Sequence, residues 1–246
     1  MIELSKDTRD IIAFAVKYCN LVDIAGLMID KKGIRAKQDA TGVYLIEPGD
    51  FSFLEFDLLY TPRVKALFPR FKMFETSKID YKVSADIKTL EDGSNVVRQL
   101  VIEGGKTKVS FDTAMLMKNS SNWPHQMKDP SYYSLKMNSN DLQILGRGIS
   151  AMGAEDFKLY SKDGKVQCRI KDIERDVLEQ EISDSYEILN DDADEEFDLS
   201  YNYKIISPLL KEAGKDAEEF EVKLTRKGIM LLKINGLSMY IFPELD

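Results

Sequence analysis

Two cysteines, one histidine and one tryptophan in 246 residues leave little of the side-chain chemistry on which most active sites are built. Cys19 and Cys168 lie far apart and fit no metal-ligand spacing, which argues against a disulfide framework or a zinc site and reads as two buried thiols. His125 follows a proline, with no nucleophile or orienting carboxylate beside it in a recognisable pattern, so a catalytic triad has nothing to start from. No glycine-rich phosphate loop, zinc-binding His-Glu-x-x-His or nucleophile elbow occurs. A protein that is not an enzyme, with no cofactor and no metal, is the expectation. Long apolar runs are missing as well, since nothing approaches the ~18 residues of a membrane span. The opening Met1-Ile2-Glu3-Leu4 places an acid where a secretory signal is apolar, so a cytoplasmic protein without a membrane partner is expected. Positive charge is short too, with 34 Lys and Arg against 42 Asp and Glu, a net −8.

What is present is an ordinary globular composition, 43% hydrophobic and 31% charged. The length allows one large domain or two of about 120 residues. Internal duplication favours two. Phe56–Phe68 reads F-D-L-L-Y-T-P-R-V-K-A-L-F, and Phe197–Leu209 reads F-D-L-S-Y-N-Y-K-I-I-S-P-L. Each starts as an alternating strand, with Phe56, Leu58 and Tyr60 in phase in the first and Phe197, Leu199 and Tyr201 in the second. Each runs directly into a short basic helix. A duplicated strand-to-helix unit with no catalytic motif near it points to architecture.

Taken in order, the chain opens with a helix capped at Ser5 or Asp7, packed through Ile11, Ile12, Phe14, Ala15 and Tyr18, with Arg9, Ala13 and Lys17 along the other side. A hairpin follows over 26–29 and 34–38, with Gly33 supplying positive φ in the turn, then a strand over 41–46. In the next helix Pro69 makes Phe68 the expected end, which puts Arg70 and Lys72 just beyond it. A meander over 79–87, 96–102 and 107–112 closes the half. Residues 118–130, which hold Trp123 and His125, lack periodicity and read as the connector between a first domain, 1–117, and a second, 131–246. The second half repeats the plan. Ser139-Asn140-Asp141 caps a helix in which Gly146 and Gly148 each cost about 1 kcal/mol relative to Ala, so close approach or packing must compensate. A hairpin over 157–160 and 166–170 matches the first at an offset of 131 residues, glycine to glycine, and strand material over 178–189 and a closing meander follow. The acidic run Asp191–Glu196 has clustered carboxylates but neither the glycine nor the distal glutamate of a calcium loop, and reads as a solvated charge run.

Charge is sorted by element. The helix spans expected from the pattern, 6–18, 61–72, 140–150 and 203–213, hold ten Lys and Arg against four Asp and Glu, a net +6, which leaves −14 for the remainder. One basic surface on an otherwise acidic particle is the expectation.

The order helix, hairpin, strand, helix, meander, met twice, resembles the sliding DNA clamps, and among them the bacteriophage T4-type polymerase processivity factor. Leu4-Ser5-Lys6-Asp7-Thr8, Ser139-Asn140-Asp141-Leu142-Gln143 and Lys162-Asp163-Gly164-Lys165 carry the likeness. The resemblance implies an α+β clamp fold with antiparallel sheets outside and helices inside a ring, closed by three two-domain chains as a homotrimer. It implies double-stranded DNA as a partner, a DNA polymerase tethered for processive synthesis, an ATP-dependent clamp loader and, if the chain is viral, the host cytoplasm. The lining candidates are Arg9, Lys17, Arg63, Lys65, Arg70, Lys72, Arg147, Lys204 and Lys211, with Lys6 behind them, and the first copy carries the larger share. A partner groove is implied near Met115, Leu116, Trp123, Phe242 and Pro243. Other readings of the same residues are a phage structural ring and a metal-dependent nuclease using the 191–196 carboxylates.

Overall fold

The structure is a computed structural model that describes residues 1–38, 42–114, 123, 131–135, 137, 139–153, 156–172, 174, 176–183, 186–190, 196–216, 220–234 and 237–244. The chain divides into two compact units, Met1–Gln38 with Leu45–Gln126, and Asp39–Tyr44 with Met127–Asp246.

Unit 1 runs β1 (Ile2–Glu3), α1 (Lys6–Leu21), β2 (Gly26–Asp30), β3 (Gly33–Gln38), β4 (Val43–Pro48, in this unit from Leu45), β5 (Leu58–Thr61), α2 (Val64–Thr76), β6 (Lys82–Thr89), β7 (Asn95–Gly104) and β8 (Thr107–Asp112). Its strands lie in the order β1-β6-β7-β5-β2-β3-β4, with β8 attached to β7. The pairs β2–β3, β2–β5, β6–β7 and β7–β8 are antiparallel, while β5 meets β7 in parallel at the single register Leu58 to Val96. Helices cover the sheet because their apolar residues fall at helical spacing: Ile12, Ala15, Val16 and Cys19 on α1, and Val64, Leu67, Phe71 and Phe74 on α2, are all buried.

Unit 2 repeats the order with one insertion: β9 (Ser131–Leu135), α3 (Ser139–Met152), β10 (Asp156–Lys162), β11 (Lys165–Lys171), β12 (Val177–Ser183), β13 (Tyr186–Ile188), β14 (Asp198–Tyr201), α4 (Tyr203–Asp216), β15 (Phe220–Thr225), β16 (Met230–Ile234) and β17 (Leu237–Ile241). One sheet is β12-β11-β10-β14 and another runs β17-β16-β15-β9-β13. Here β13 is the addition, returning to pair with β9 through Tyr186 and Leu135. Leu142, Leu145 and Ile149 on α3, with Ile205, Ile206, Leu209 and Leu210 on α4, form the buried helical stripes.

Several expectations are corrected. Pro69 does not end α2, which continues to Thr76 and carries Arg70 and Lys72 within it. The missing N–H costs a helix about 3 kcal/mol, and full burial of Phe71 and Phe74, about 1.5–3 kcal/mol each, offsets it. Pro208 is likewise interior to α4. In the opening stretch Leu58 and Tyr60 do share one face of β5, the half-buried one, and Leu59 and Thr61, both 0% exposed, form its packed face. Phe56 is buried ahead of the strand, so its phase does not carry into it. Gly33 and Gly164 are not structural equivalents either. Gly33 pairs with Asp30 as the first residue of β3, whereas Asp163 and Gly164, with φ of 52° and 75°, are the two-residue turn between Lys162 and Lys165.

Candidate nucleic-acid interface

The entry to α1 is fixed from a distance. Ser5 accepts a side-chain bond from the Thr8 N–H, while Glu55 accepts from the Ser5 N–H at 2.8 Å and from Thr8 Oγ1 at 2.7 Å. On this helix Lys6 is exposed. Arg9 is folded down, donating to Asp10 at 2.9 Å and to the Tyr81 carbonyl at 2.8 Å, with its guanidinium 5.1 Å from the Tyr81 ring. Burial, joined by the nearby Glu75 charge, pushes the Tyr81 phenol up to about 12, so it stays neutral beneath Arg9. Lys17 lies 5.9 Å from the Tyr18 ring.

Four cations begin or ride on α2. Arg63, at its N-cap, donates to the Asp112 carbonyl at 2.6 Å and sits 5.0 Å from the Phe111 ring. Arg70 reaches the same ring at 5.3 Å and donates to the Ala66 carbonyl. Lys65 forms an ion pair with Asp23 at the exit of α1. Lys72 is exposed, 5.6 Å from the Phe68 ring. In unit 2, Arg147 on α3 is exposed and makes a long contact, 3.4 Å, to Gln143. Lys204 and Lys211 on α4 are both exposed, and no ion pair forms on either among the described residues.

The two basic helices share a pattern that is hidden when Phe56 is aligned with Phe197, because Lys65 and Lys204 then fall two positions out of register. Lys65-Ala-Leu-Phe-Pro69-Arg-Phe-Lys72 and Lys204-Ile-Ile-Ser-Pro208-Leu-Leu-Lys211 both spell Lys-x3-Pro-x2-Lys. Positions i, i+4 and i+7 share one helix face, so each helix presents Lys, Pro, Lys toward solvent while the intervening apolar residues point to the core. Periodicity anchored on the prolines would have exposed it. Counted over the observed helices, ten Lys and Arg stand against six Asp and Glu, a smaller excess than the expected spans gave, because α2 and α4 extend through Glu75 and Asp216.

The glycines of α3 have a packing reason. A Cβ on Gly146 would meet Lys211 Cγ at 2.9 Å and Lys211 N at 3.3 Å, and one on Gly148 would meet Leu178 Cδ2 at 3.0 Å. The side chain absent at Gly146 lets α3 and α4 approach closely enough to present Arg147 and Lys211 from adjoining helices, while Gly148 makes room for Leu178 of β12.

Among solved structures, the chain is similar to the proliferating cellular nuclear antigen of Entamoeba histolytica, with a TM-score of 0.68 over 99% of this chain and 98% of that one, at 12% identity. No protein-family model matches the sequence, and no curated protein does. The chain has the DNA clamp fold. At 12% identity the likeness is one of architecture.

Within that clamp fold the expected partner residues are unevenly placed. Met115, Leu116, His125 and the 118–130 connector other than Trp123 lie outside the described residues, as do Asp191–Glu195. Trp123 is half-buried in unit 1, edge-on to Tyr60 at 6.0 Å and filling the space above Gly26, where a Cβ would stand 3.1 Å from its ring. In unit 2, Phe242 packs on Tyr44 at 5.4 Å and donates its N–H to the Gly42 carbonyl at 2.9 Å, with Pro243 half-buried beside it. No group of three His, Cys, Asp or Glu among the described residues is placed to hold a metal ion, and none of their helices is long and apolar enough to cross a membrane.

Proposed function

We propose that this chain is a subunit of a sliding clamp of the bacteriophage T4 type, which encircles duplex DNA and tethers a replicative polymerase. The observation that carries the reading is the clamp fold over nearly the whole chain, combined with the same exposed Lys-x3-Pro-x2-Lys face on the second helix of each unit. In this reading domains 1–117 and 131–246, joined at 118–130, contribute two of six modules to a homotrimeric ring. An ATP-dependent loader opens the ring, and sliding follows because lysines meet phosphates without reading bases. The tether raises the effective concentration of polymerase at the primer end. Arg9, Lys17, Arg63, Lys65, Arg70, Lys72, Arg147, Lys204 and Lys211 line the DNA path, and the surfaces around Trp123, Phe242 and Pro243, with Met115 and Leu116, receive partner peptides.

The deciding experiment loads the protein on nicked circular DNA and measures retention before and after a restriction cut. A trimer that stays on the circle and runs off the linear form is expected, and retention on free-ended DNA would contradict sliding. Charge reversal of Arg63 and Lys65 to Glu together is expected to reduce clamp-dependent processive synthesis at least several-fold at moderate salt. For the partner surface, Phe242→Ala is expected to weaken binding of a polymerase-tail peptide, read by fluorescence anisotropy.

A further inference from the structure

The internal duplication makes each unit a control for the other, and one position differs sharply between them. At the exit of α1, Asp23 stands in the left-handed region with φ 63°. At the exit of α3, Gly153 has φ 61°. Left-handed residues after a helix are usually Gly or Asn, and a carboxylate at a helix C-terminus opposes the helix dipole. Local physics therefore favours the residue found in unit 2 and disfavours the one in unit 1. What Asp23 does there is hold Lys65, the first lysine of the Lys-x3-Pro-x2-Lys face. The matching lysine of unit 2, Lys204, has Gly153 nearby in place of a carboxylate. Between them is an open hollow of about 420 Å³, bounded by Ile149, Ser150, Gly153, Tyr203, Lys204 and Ser207. A Cβ on Gly153 would meet nothing within 4 Å. Among the described residues no carboxylate lines the hollow, and their polar side chains there are an exposed ammonium, two serine hydroxyls and a tyrosine.

We propose that the hollow between the end of α3 and the first turn of α4 is an anion seat that takes a backbone phosphate of duplex DNA against Lys204, and that Asp23 occupies the matching seat in unit 1 from within. The inference rests on the sliding-clamp reading and narrows the expected advantage of unit 1, where Lys6 and Lys72 stay exposed. Unit 1 has more cations, but Arg9, Arg63, Lys65 and Arg70 are already engaged by Asp10, the Asp112 carbonyl, Asp23 and the Ala66 carbonyl. Unit 2 leaves Lys204 available for phosphate. The Asp23–Lys65 pair is itself weak, because both side chains are more than 60% exposed, at 64% and 62%. Exposed pairs of this kind are worth about 0–1 kcal/mol, so a phosphate competes with Asp23 on nearly equal terms.

Four variants test the idea on a short blunt-ended duplex, with affinity followed across a salt series by anisotropy. Gly153→Asp rebuilds the unit 1 arrangement in unit 2, and Gly153→Asn places an uncharged side chain of the same size in the same left-handed backbone. Gly153→Asp is expected to weaken binding and to lower the slope of log affinity against log salt by about one for each chain engaged, while Gly153→Asn leaves the slope unchanged. Lys204→Gln should lower the slope equally and abolish the difference between Asp and Asn at position 153. Asp23→Asn is expected to tighten binding by about two- to five-fold, the release of one exposed ion pair. Equal slopes for Gly153→Asp and Gly153→Asn would overturn the seat while Lys204→Gln still weakens binding. Loss of all salt-dependent duplex binding in the unmodified chain would instead overturn the clamp reading. Displacement of the duplex by inorganic phosphate well beyond that by chloride at matched ionic strength would assign the hollow to a free anion and overturn the DNA assignment.

Discussion

Glu55 joins two parts of unit 1 that lie 50 residues apart in the chain, and its carboxylate is the part that matters. Burial pushes this carboxyl up, but the hydrogen bonds from the Ser5 N–H and the Thr8 hydroxyl outweigh burial and hold it below its ordinary value of 4.5. With the folded value lower than the unfolded one, its stabilisation is complete above the unfolded value and is lost as pH falls through the folded value. Glu55→Gln is therefore expected to cost about 1 kcal/mol at neutral pH, the scale of a helix cap, and to converge on the unmodified protein in acid. Urea unfolding at the two pH values checks this, and a gap that persisted in acid would assign the effect to shape instead of charge. Asp57 behaves similarly, held below its ordinary value by Lys31, at 2.7 Å, and by the Asn95 N–H.

At the scale of elements, the tightest constraint lies where the β2–β3 hairpin meets β4. A Cβ on Gly33 would stand 2.1 Å from the Glu47 carbonyl oxygen, and its φ of 136° is open only to glycine. Gly33→Ala is expected to destabilise by about 3 kcal/mol or more, read as a lower urea midpoint with an unchanged slope. Much of this level was legible in the sequence. The four helices followed from the 3.6-residue spacing of Ile12, Leu67, Leu145 and Ile206 with their neighbours, and the meanders from their alternation and glycine turns. What was not legible has physical reasons. Pro69 reads as a stop because local sterics say so, whereas the burial of Phe71 and Phe74 beyond it is a tertiary effect. β9 escaped notice because Tyr132 and Tyr133 are adjacent and both 5% exposed, which breaks the alternation that marks a strand. For the site, the helix faces and their lysines could be read directly. The groups that engage them could not, since Asp23, Phe111 and Tyr81 lie 42, 48 and 72 positions from Lys65, Arg63 and Arg9.

For the whole molecule, the sliding-clamp reading asks a chain of net charge −8 to hold DNA by a few helical cations, which makes a definite demand on the ligand. Contacts from lysine and arginine to phosphate carry no base information, so affinity should track salt and ignore sequence. Exchanging an AT-rich duplex for a GC-rich one of equal length is expected to leave the dissociation constant within about two-fold, while raising salt from 50 to 200 mM should weaken it by about ten-fold or more. A strong base preference at fixed salt would point to readout in a groove and away from sliding. The buried thiols set what such measurements can use. Cys19 and Cys168 are both 0% exposed, and burial pushes each thiol up, away from the reactive thiolate. A single exposed cysteine, introduced for instance as Lys72→Cys, would therefore react selectively with maleimide dyes while the native pair stayed in place. The chain arrives ready for site-specific fluorescent labelling without first being made cysteine-free.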